Sequence, residues 1–170
     1  LVDSKGNFWL ALDHGLYWLQ ASVDEKEISQ EKAKGKYILK NIYINHIQFV
    51  GQKLRVGTSK DVYQYSLVSL KMEKKLNGFS VVSSYHDRVA HQIWLGTFHQ
   101  GVLVLDDRTW NPVSMVDFGS LLKIPQIPVR SIIPYKNDAL LMAVDGAGIY
   151  AFDRVSKQTH LILDTEGRPG

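Results

Sequence analysis

The side chains best suited to chemistry in this sequence are its six histidines, which are scattered along the chain. Only His86 and His91 are close enough in sequence to share one metal ion, and such a loop pair is more often polar surface. Serine, aspartate and histidine are all present. However, no Gly-x-Ser-x-Gly nucleophile elbow and no glycine-rich phosphate loop selects a catalytic set. We therefore expect no catalytic residues, no metal and no cofactor in this segment.

A second group of residues is better suited to holding a polar ligand. Phe98, His99 and Gln100 are consecutive and combine an aromatic ring with imidazole and amide groups. This combination suits a sugar, because a ring stacks on its apolar face while polar groups bond its hydroxyls. Taken singly, each residue is more often an ordinary exposed loop residue. The full candidate set is His14, Lys60, Phe98, His99, Gln100, Arg130 and Asp145.

The elements that must position these residues repeat along the chain. Four units each contain two short apolar runs separated by a loop, which is the pattern of a β-hairpin. A period of about 40 to 50 residues is that of one four-stranded propeller blade, and the β-type runs argue against a helical solenoid. Equivalent positions at Trp9, Arg55, Trp94 and Leu141 are separated by 46, 39 and 47 residues.

Glycine marks the hairpin loops. Gly15, Gly101 and Gly148 each precede the second run, where a positive φ suits a tight connection, and Asp61 takes this place in the second unit. Segments between the hairpins supply further strands, with Phe79–Val82 expected as the outer strand of the second unit. The predicted blades are residues 1–40, 41–83, 84–118 and 119–170, all within one propeller segment.

The pattern has a physical reason. A small twisted sheet buries both faces only by stacking on neighbouring sheets, and Trp9 and Trp94 are large enough to fill the space between them. Hairpin loops and the links between blades open on one face of a propeller, where ligands usually bind. Arg130 is the strongest single candidate, because a charge at the start of an inner strand would point toward the central channel.

Composition is that of an ordinary globular chain. The 170 residues are 45% hydrophobic and 22% charged, with no cysteine, so disulfides and thiolate sites are excluded. The net charge of +3 is too weak to indicate nucleic-acid binding, and the lysines of residues 22–34 alternate with glutamates, which indicates a solvated insertion. The longest apolar run, Ile93–Phe98, is far too short to span a membrane.

The units resemble the two-component regulator propeller repeat. The first unit carries Asp3, Gly6, Asn7, Trp9, Gly15 and Leu16 of the repeat pattern, and the third carries Trp94, Gly96, Thr97, Gly101 and Val102. The second unit keeps only Gly57 and Thr58. The fourth unit keeps Gly148, Ile149 and Asp153 but lacks the tryptophan.

The resemblance implies an all-β propeller in the extracytoplasmic sensor region of a bacterial hybrid two-component histidine kinase of Bacteroides type. It implies a periplasmic location, a small-molecule ligand derived from carbohydrate, such as an oligosaccharide, and signalling to a downstream kinase. The alternatives are a sensor segment of a one-component transcriptional regulator or a non-catalytic protein-interaction propeller. An enzyme on a propeller is a third alternative, which would need clustered acid and base residues.

About four blades fit into the chain, which we expect to be part of a larger propeller. The first and last sheets would then expose apolar faces, and such surfaces drive association. We expect a homodimer or aggregation through these sheets, and a self-contained four-bladed ring is the alternative. No nucleic-acid partner and no membrane contact by this segment are expected.

Overall fold

The computed structural model describes residues 1–21, 34–116, 128–136 and 138–170. All but Lys34 of the predicted insertion at residues 22–34 lies outside the described residues. The described chain is all-β, with fifteen strands in four antiparallel sheets. No helix long and apolar enough to cross a membrane occurs in this part of the chain. The chain divides into two compact units, Leu1–Gly78 and Phe79–Gly170.

Unit 1 contains the first and second sheets. The first sheet has three strands in the order β1-β2-β3, and an isolated bridge between Val2 and Phe8 precedes them. The second sheet has four strands in the order β4-β5-β6-β7. The strands are β1 (Phe8–Leu12), β2 (Gly15–Leu19), β3 (Gly35–Lys40), β4 (Ile44–Val50), β5 (Lys53–Thr58), β6 (Asp61–Ser66) and β7 (Met72–Asn77).

Unit 2 contains the third and fourth sheets, both four-stranded meanders. Their orders are β8-β9-β10-β11 and β12-β13-β14-β15, so each strand pairs with its neighbours in sequence. The strands are β8 (Val81–Asp87), β9 (Gln92–Thr97), β10 (Val102–Asp106), β11 (Pro112–Val116), β12 (Val129–Tyr135), β13 (Ala139–Val144), β14 (Gly148–Asp153) and β15 (Thr159–Leu163).

Each unit is held by an apolar cluster shared by its two sheets. In unit 1, Trp9 and Leu16 of the first sheet pack with Leu54 and Val56 of the second, and all four side chains are fully buried. In unit 2, Trp94 packs with residues of the fourth sheet, and its ring centroid lies 5.6 Å from that of Phe152. The prediction that Trp9 and Trp94 fill the space between sheets is confirmed.

The second sheet differs at the position of these tryptophans. Arg55 takes that position and is only 1% exposed, with Nη1 donating to Gln48 Oε1 at 3.3 Å. Its neighbour across the β5–β6 pairing is Gln64, whose Nε2 donates to Glu73. Around Arg55 this face of the second sheet is therefore polar, although Val62 on the same face is fully buried.

The glycines predicted to adopt positive φ do so. Gly15, Gly101 and Gly148 have φ of 143°, 73° and 107°. Gly96 is needed for a different reason, because a Cβ at this position would lie 2.1 Å from Ser83 Oγ and 2.4 Å from Val129 O. Ser83 Oγ donates to that same carbonyl at 2.6 Å. The backbone at Gly96 thus permits the close approach of the third and fourth sheets.

Two expectations about the second unit are wrong. The outer strand of the second sheet is β7, not Phe79–Val82, and Val81 instead begins the inner strand of the third sheet. The expected blade boundary between residues 83 and 84 therefore falls inside β8. Lys74 and Lys75 lie on β7. The reason is that β7 is an edge strand with mostly exposed side chains, and lysine is common on such edges.

Candidate functional site

The β9–β10 loop carries three of the predicted binding residues, and Thr97 holds it in place. Thr97 Oγ1 accepts a hydrogen bond from Gln100 N at 2.7 Å and donates one to Gly101 O at 2.9 Å. Phe98 N donates to Ser80 O at 2.8 Å, which ties the loop to the residue just before β8. The loop therefore presents its aromatic and polar side chains from a fixed backbone.

Arg130 lies on β12, where the pairing with β13 shifts register between Val129 and Ser131. Such a β-bulge leaves one residue unpaired and redirects its side chain. The inner strands β4 and β8 have the same irregularity, between Ile44 and His46 and between Val81 and Ser83. The bulge is thus a repeated feature of the inner strands. In the fourth sheet, Arg130 is the residue that the bulge leaves unpaired.

The Arg130 side chain joins residues from two sheets. Its Nε and Nη2 donate to Asp145 Oδ2 at 3.0 Å and 2.8 Å, and Asp145 lies in the β13–β14 loop of the same sheet. Its guanidinium carbon lies 5.3 Å from the centroid of the Phe98 ring, which belongs to the third sheet. The His99 ring meets the Phe98 ring edge-on, with centroids 4.7 Å apart. We name Phe98, His99, Arg130 and Asp145 the loop cluster.

The loop cluster is open to solvent. The Arg130 and Asp145 side chains are 50% and 49% exposed, so their ion pair contributes little to the free energy of unfolding. The pair nevertheless places a forked donor and a carboxylate acceptor beside an aromatic ring. These groups can bond the hydroxyls of a polar ligand and contact its apolar face.

The other predicted binding residues are not part of the loop cluster. Gln100 belongs to the same loop as Phe98, but its side chain is exposed, and its backbone N–H donates to Thr97. His14 and Lys60 lie in unit 1, in the β1–β2 and β5–β6 loops respectively. Neither side chain makes a hydrogen bond or ion pair with a described residue. Their roles in ligand binding stay predictions.

The two histidines singled out from the sequence both lie close to the carboxylate of Asp107. His86 Nε2 lies 3.1 Å and His91 Nδ1 3.5 Å from Asp107 Oδ2. His86 bonds the carboxylate and lowers the pKa of Asp107. His86 lies within β8 and not on a loop, as we had expected. Within the described ranges, no group of three histidine or acidic residues is arranged to hold a metal ion.

The role of the threonine was missed from the sequence. The Gly-Thr pairs of the repeat pattern lie at residues 57–58 and 96–97, each directly before a hairpin loop. In both sheets the hydroxyl closes the hairpin loop, since Thr58 Oγ1 donates to Asp61 O at 2.8 Å and accepts from Asp61 N at 2.9 Å. The repetition of the pair directly before each loop was the signal available in the sequence.

Antiparallel meanders that pack on one another through apolar clusters are typical of β-propellers. Solved structures of propellers are similar to this chain. The extracellular domain of BT4673 from B. thetaiotaomicron, described as a one-component system, matches with a TM-score of 0.74 and 16% identity over 98% of this chain. A second structure of that domain, described as belonging to a hybrid two-component system, matches with a TM-score of 0.69 and 19% identity over 96%. The Neurospora crassa Pan2 WD40 domain matches with a TM-score of 0.63 and 10% identity over 95%.

These matches show the fold: the chain has the all-β architecture of part of a propeller. It spans 27% and 22% of the two BT4673 domain structures and 48% of the Pan2 domain. No protein-family model matches the sequence, and no curated protein matches it. The resemblance to the two-component regulator propeller repeat therefore rests on the residues quoted above and on the fold.

Proposed function

We propose that this chain is a ligand-sensing propeller segment of an extracytoplasmic signalling protein of the two-component type. The observation that carries the proposal is the loop cluster, in which Arg130 joins Phe98 of one sheet to Asp145 of the next. The similar structures from B. thetaiotaomicron are extracellular domains of signalling systems, which supports both the role and a periplasmic location.

The ligand we propose is carbohydrate-derived, such as an oligosaccharide. The Arg130–Asp145 pair offers donors and acceptors to neighbouring hydroxyls, and the Phe98 ring offers an apolar surface. Binding would bridge loops of two sheets. It carries a signal to a downstream histidine kinase only if it favours one arrangement of the propeller over another. This segment itself performs no catalysis in the proposal.

The output of the whole protein has an alternative. One of the two similar structures is described as part of a one-component system and the other as part of a hybrid two-component system. A sensor segment of a one-component transcriptional regulator would use the same loop cluster. The two outputs differ only in the domain that receives the signal.

A non-catalytic protein-interaction propeller is the second candidate function. One face of β1 exposes the large apolar side chains of Phe8, Leu10 and Leu12, which are 41%, 38% and 39% exposed. Contiguous apolar surface of this kind often marks a protein interface. In this case the loop cluster would bind no sugar, and the partner would cover the β1 face.

A thermal-shift screen against plant and host oligosaccharides tests the proposal. A ligand that binds only the folded state raises Tm in a dose-dependent way. We expect R130Q and F98A to weaken the response to the active sugar by roughly tenfold or more, as for loss of a central contact. R168Q is the matched control, because Arg168 is exposed and pairs with Asp164 in the turn after β15. The absence of any sugar response would contradict the sugar proposal and favour the interaction propeller.

A further inference from the structure

The Arg130–Asp145 pair is built on a backbone frame that recurs in the second, third and fourth sheets. In each of these sheets, the first residue after the second strand donates its N–H to the carbonyl just before the inner strand. The three bonds are Ser59 N to Tyr43 O at 3.1 Å, Phe98 N to Ser80 O at 2.8 Å and Asp145 N to Pro128 O at 2.9 Å. Each inner strand also has a bulge one residue after its start.

The side chains on this frame differ from sheet to sheet. The bulge residue and the loop residue are Asn45 and Ser59 in the second sheet, Val82 and Phe98 in the third, and Arg130 and Asp145 in the fourth. The same backbone frame therefore forms in two sheets without an ion pair. Since the Arg130–Asp145 pair is also half-exposed, it is not needed for the fold, and its polar groups are available to a ligand.

The pair leaves a donor and an acceptor open. Arg130 Nε and Nη2 both donate to the same oxygen, Asp145 Oδ2. Arg130 Nη1 and Asp145 Oδ1 have no hydrogen-bond partner among the described residues. Two neighbouring hydroxyls of a sugar ring can use both atoms, because one hydroxyl accepts from Nη1 while the other donates to Oδ1.

The charges of the loop cluster cancel. In the described segments that carry the cluster or bond to its loops, residues 78–80, 98–101, 128–130 and 145–147, the charged side chains are those of Arg130 and Asp145. A carboxylate or sulfate on a ligand would compete with Asp145 for the guanidinium, and Asp145 would repel it. Such a group would also lose hydration without meeting a net positive charge. A neutral ligand has neither cost.

We propose that the loop cluster selects neutral saccharides with adjacent free hydroxyls and disfavours uronic-acid and sulfated ones. One hydroxyl accepts from Arg130 Nη1, its neighbour donates to Asp145 Oδ1, and the Phe98 ring contacts the apolar face of the sugar. Asp145 sets this preference, because it neutralises Arg130. The inference rests on the proposed function, since it specifies the class of saccharide that the same site takes.

The test compares pairs of oligosaccharides that differ only in charge. Glucan, mannan and galactan oligomers are paired with forms whose primary hydroxyls are oxidised to carboxylates. Any acidic oligosaccharide that responds in the thermal-shift screen is paired with its carboxyl-reduced form, and any neutral one with its oxidised form. Titration calorimetry on the unaltered chain gives both dissociation constants.

We expect the neutral member of a pair to bind roughly fivefold or more tightly than its acidic counterpart, as for one unfavourable exposed charge contact. An acidic member that binds as tightly as its neutral counterpart, or more tightly, overturns the inference and leaves the sugar-sensing proposal standing. If no oligosaccharide of either kind binds, the proposed function and this inference are both wrong.

D145N tests the role of the carboxylate. It removes the negative charge, while the amide keeps the shape of the side chain and can still accept from Arg130. The preference for the neutral member, expressed as the ratio of the two dissociation constants, should fall by roughly fivefold or more. Acidic binding gained in this variant should weaken with added NaCl.

D138N is the matched control. Asp138 lies at the opposite end of β13 and is 66% exposed, so D138N makes the same change in net charge away from the loop cluster. It should leave the ratio of dissociation constants unchanged. An equal ratio in D145N and the parent would overturn the role of Asp145. Both ligands are measured on the same variant, so a change in its stability does not alter the comparison.

Discussion

Arg154 and Asp87 form an ion pair that joins the fourth sheet to the third across 67 positions of sequence. Arg154 follows β14, and Asp87 ends β8 with its side chain only 3% exposed. Asp87 Oδ1 also accepts the backbone N–H groups of Val89 and Ala90, so this carboxylate both closes its own turn and holds the next sheet. It is therefore a structural acceptor shared by two sheets.

Removal of this carboxylate should destabilise unit 2. We predict that D87A lowers the free energy of unfolding by about 3 kcal/mol, because a partly buried arginine partner and two turn N–H groups lose their acceptor. Urea unfolding followed by tryptophan fluorescence measures the change. D138N is the control: Asp138 lies 4.0 Å from Arg154 but is 66% exposed, so its loss should cost less than about 1 kcal/mol. Equal losses in the two variants would contradict the role of Asp87 as the acceptor that joins the two sheets.

Gly96 should not tolerate a side chain. G96A places a Cβ against Ser83 Oγ and the Val129 carbonyl, and the backbone carbonyl has little freedom to move. We predict a loss of about 2 to 3 kcal/mol, typical of overpacking, measured by chemical denaturation. G51A controls for backbone strain alone, since Gly51 has φ +59° and open space around it. G51A should lower the free energy of unfolding by only about 1 kcal/mol. A loss in G96A no larger than this would contradict the close approach of the third and fourth sheets at Gly96.

Thr97 should matter for the loop cluster as well as for stability. T97V keeps the shape of the side chain but removes the hydroxyl that bonds Gln100 N and Gly101 O. We predict a loss of about 1 to 3 kcal/mol and a weaker response to any sugar that binds the loop cluster. T58V removes the equivalent hydroxyl in unit 1 and should cost similar stability without changing the sugar response. A sugar response that is unchanged in T97V would contradict the role of the loop.

His46 should make the protein less stable in mild acid. Burial, reinforced by the charge of Arg55, lowers the pKa of His46 from 6.5 to about 4. The unfolded chain therefore binds a proton below pH 6.5 that the folded chain resists until about pH 4, so stability falls as pH decreases through this window. The lowered pKa values of Asp3, Asp61 and Asp107 act below 3.8 and lie outside it.

The expected loss attributable to His46 is about 2 kcal/mol between roughly pH 7.5 and pH 5. Urea midpoints at the two pH values measure it. In H46Q this component of the pH dependence should vanish, whatever the absolute stability of the variant. A variant that shows the same pH dependence as the parent would show that His46 is not responsible.

The apolar face of β1 should drive self-association, as expected from the sequence. Its three exposed side chains stand at positions that are buried in the fourth sheet, where the third sheet covers them. We predict concentration-dependent association in sedimentation velocity, weakened by L10E because it places a charge within the face. A monomer at high concentration would contradict the prediction. The equivalent pairs are Phe8 and Leu140, Leu10 and Met142, and Leu12 and Val144.

The strand pattern and the hairpin loops were predictable from the sequence because they depend on local rules. The short apolar runs, the positive-φ glycines and the large tryptophans are each recognisable within a dozen residues, and the structure bears them out. The outer strand β7 was not predictable in this way, because its side chains are mostly exposed and it contains no apolar run.

The sequence by itself also determined which residue types the β9–β10 loop offers, since Phe98, His99 and Gln100 are adjacent. Only the tertiary structure decided that Arg130 meets Phe98 and Asp145, because that meeting depends on a bulge in β12 and on the stacking of two sheets.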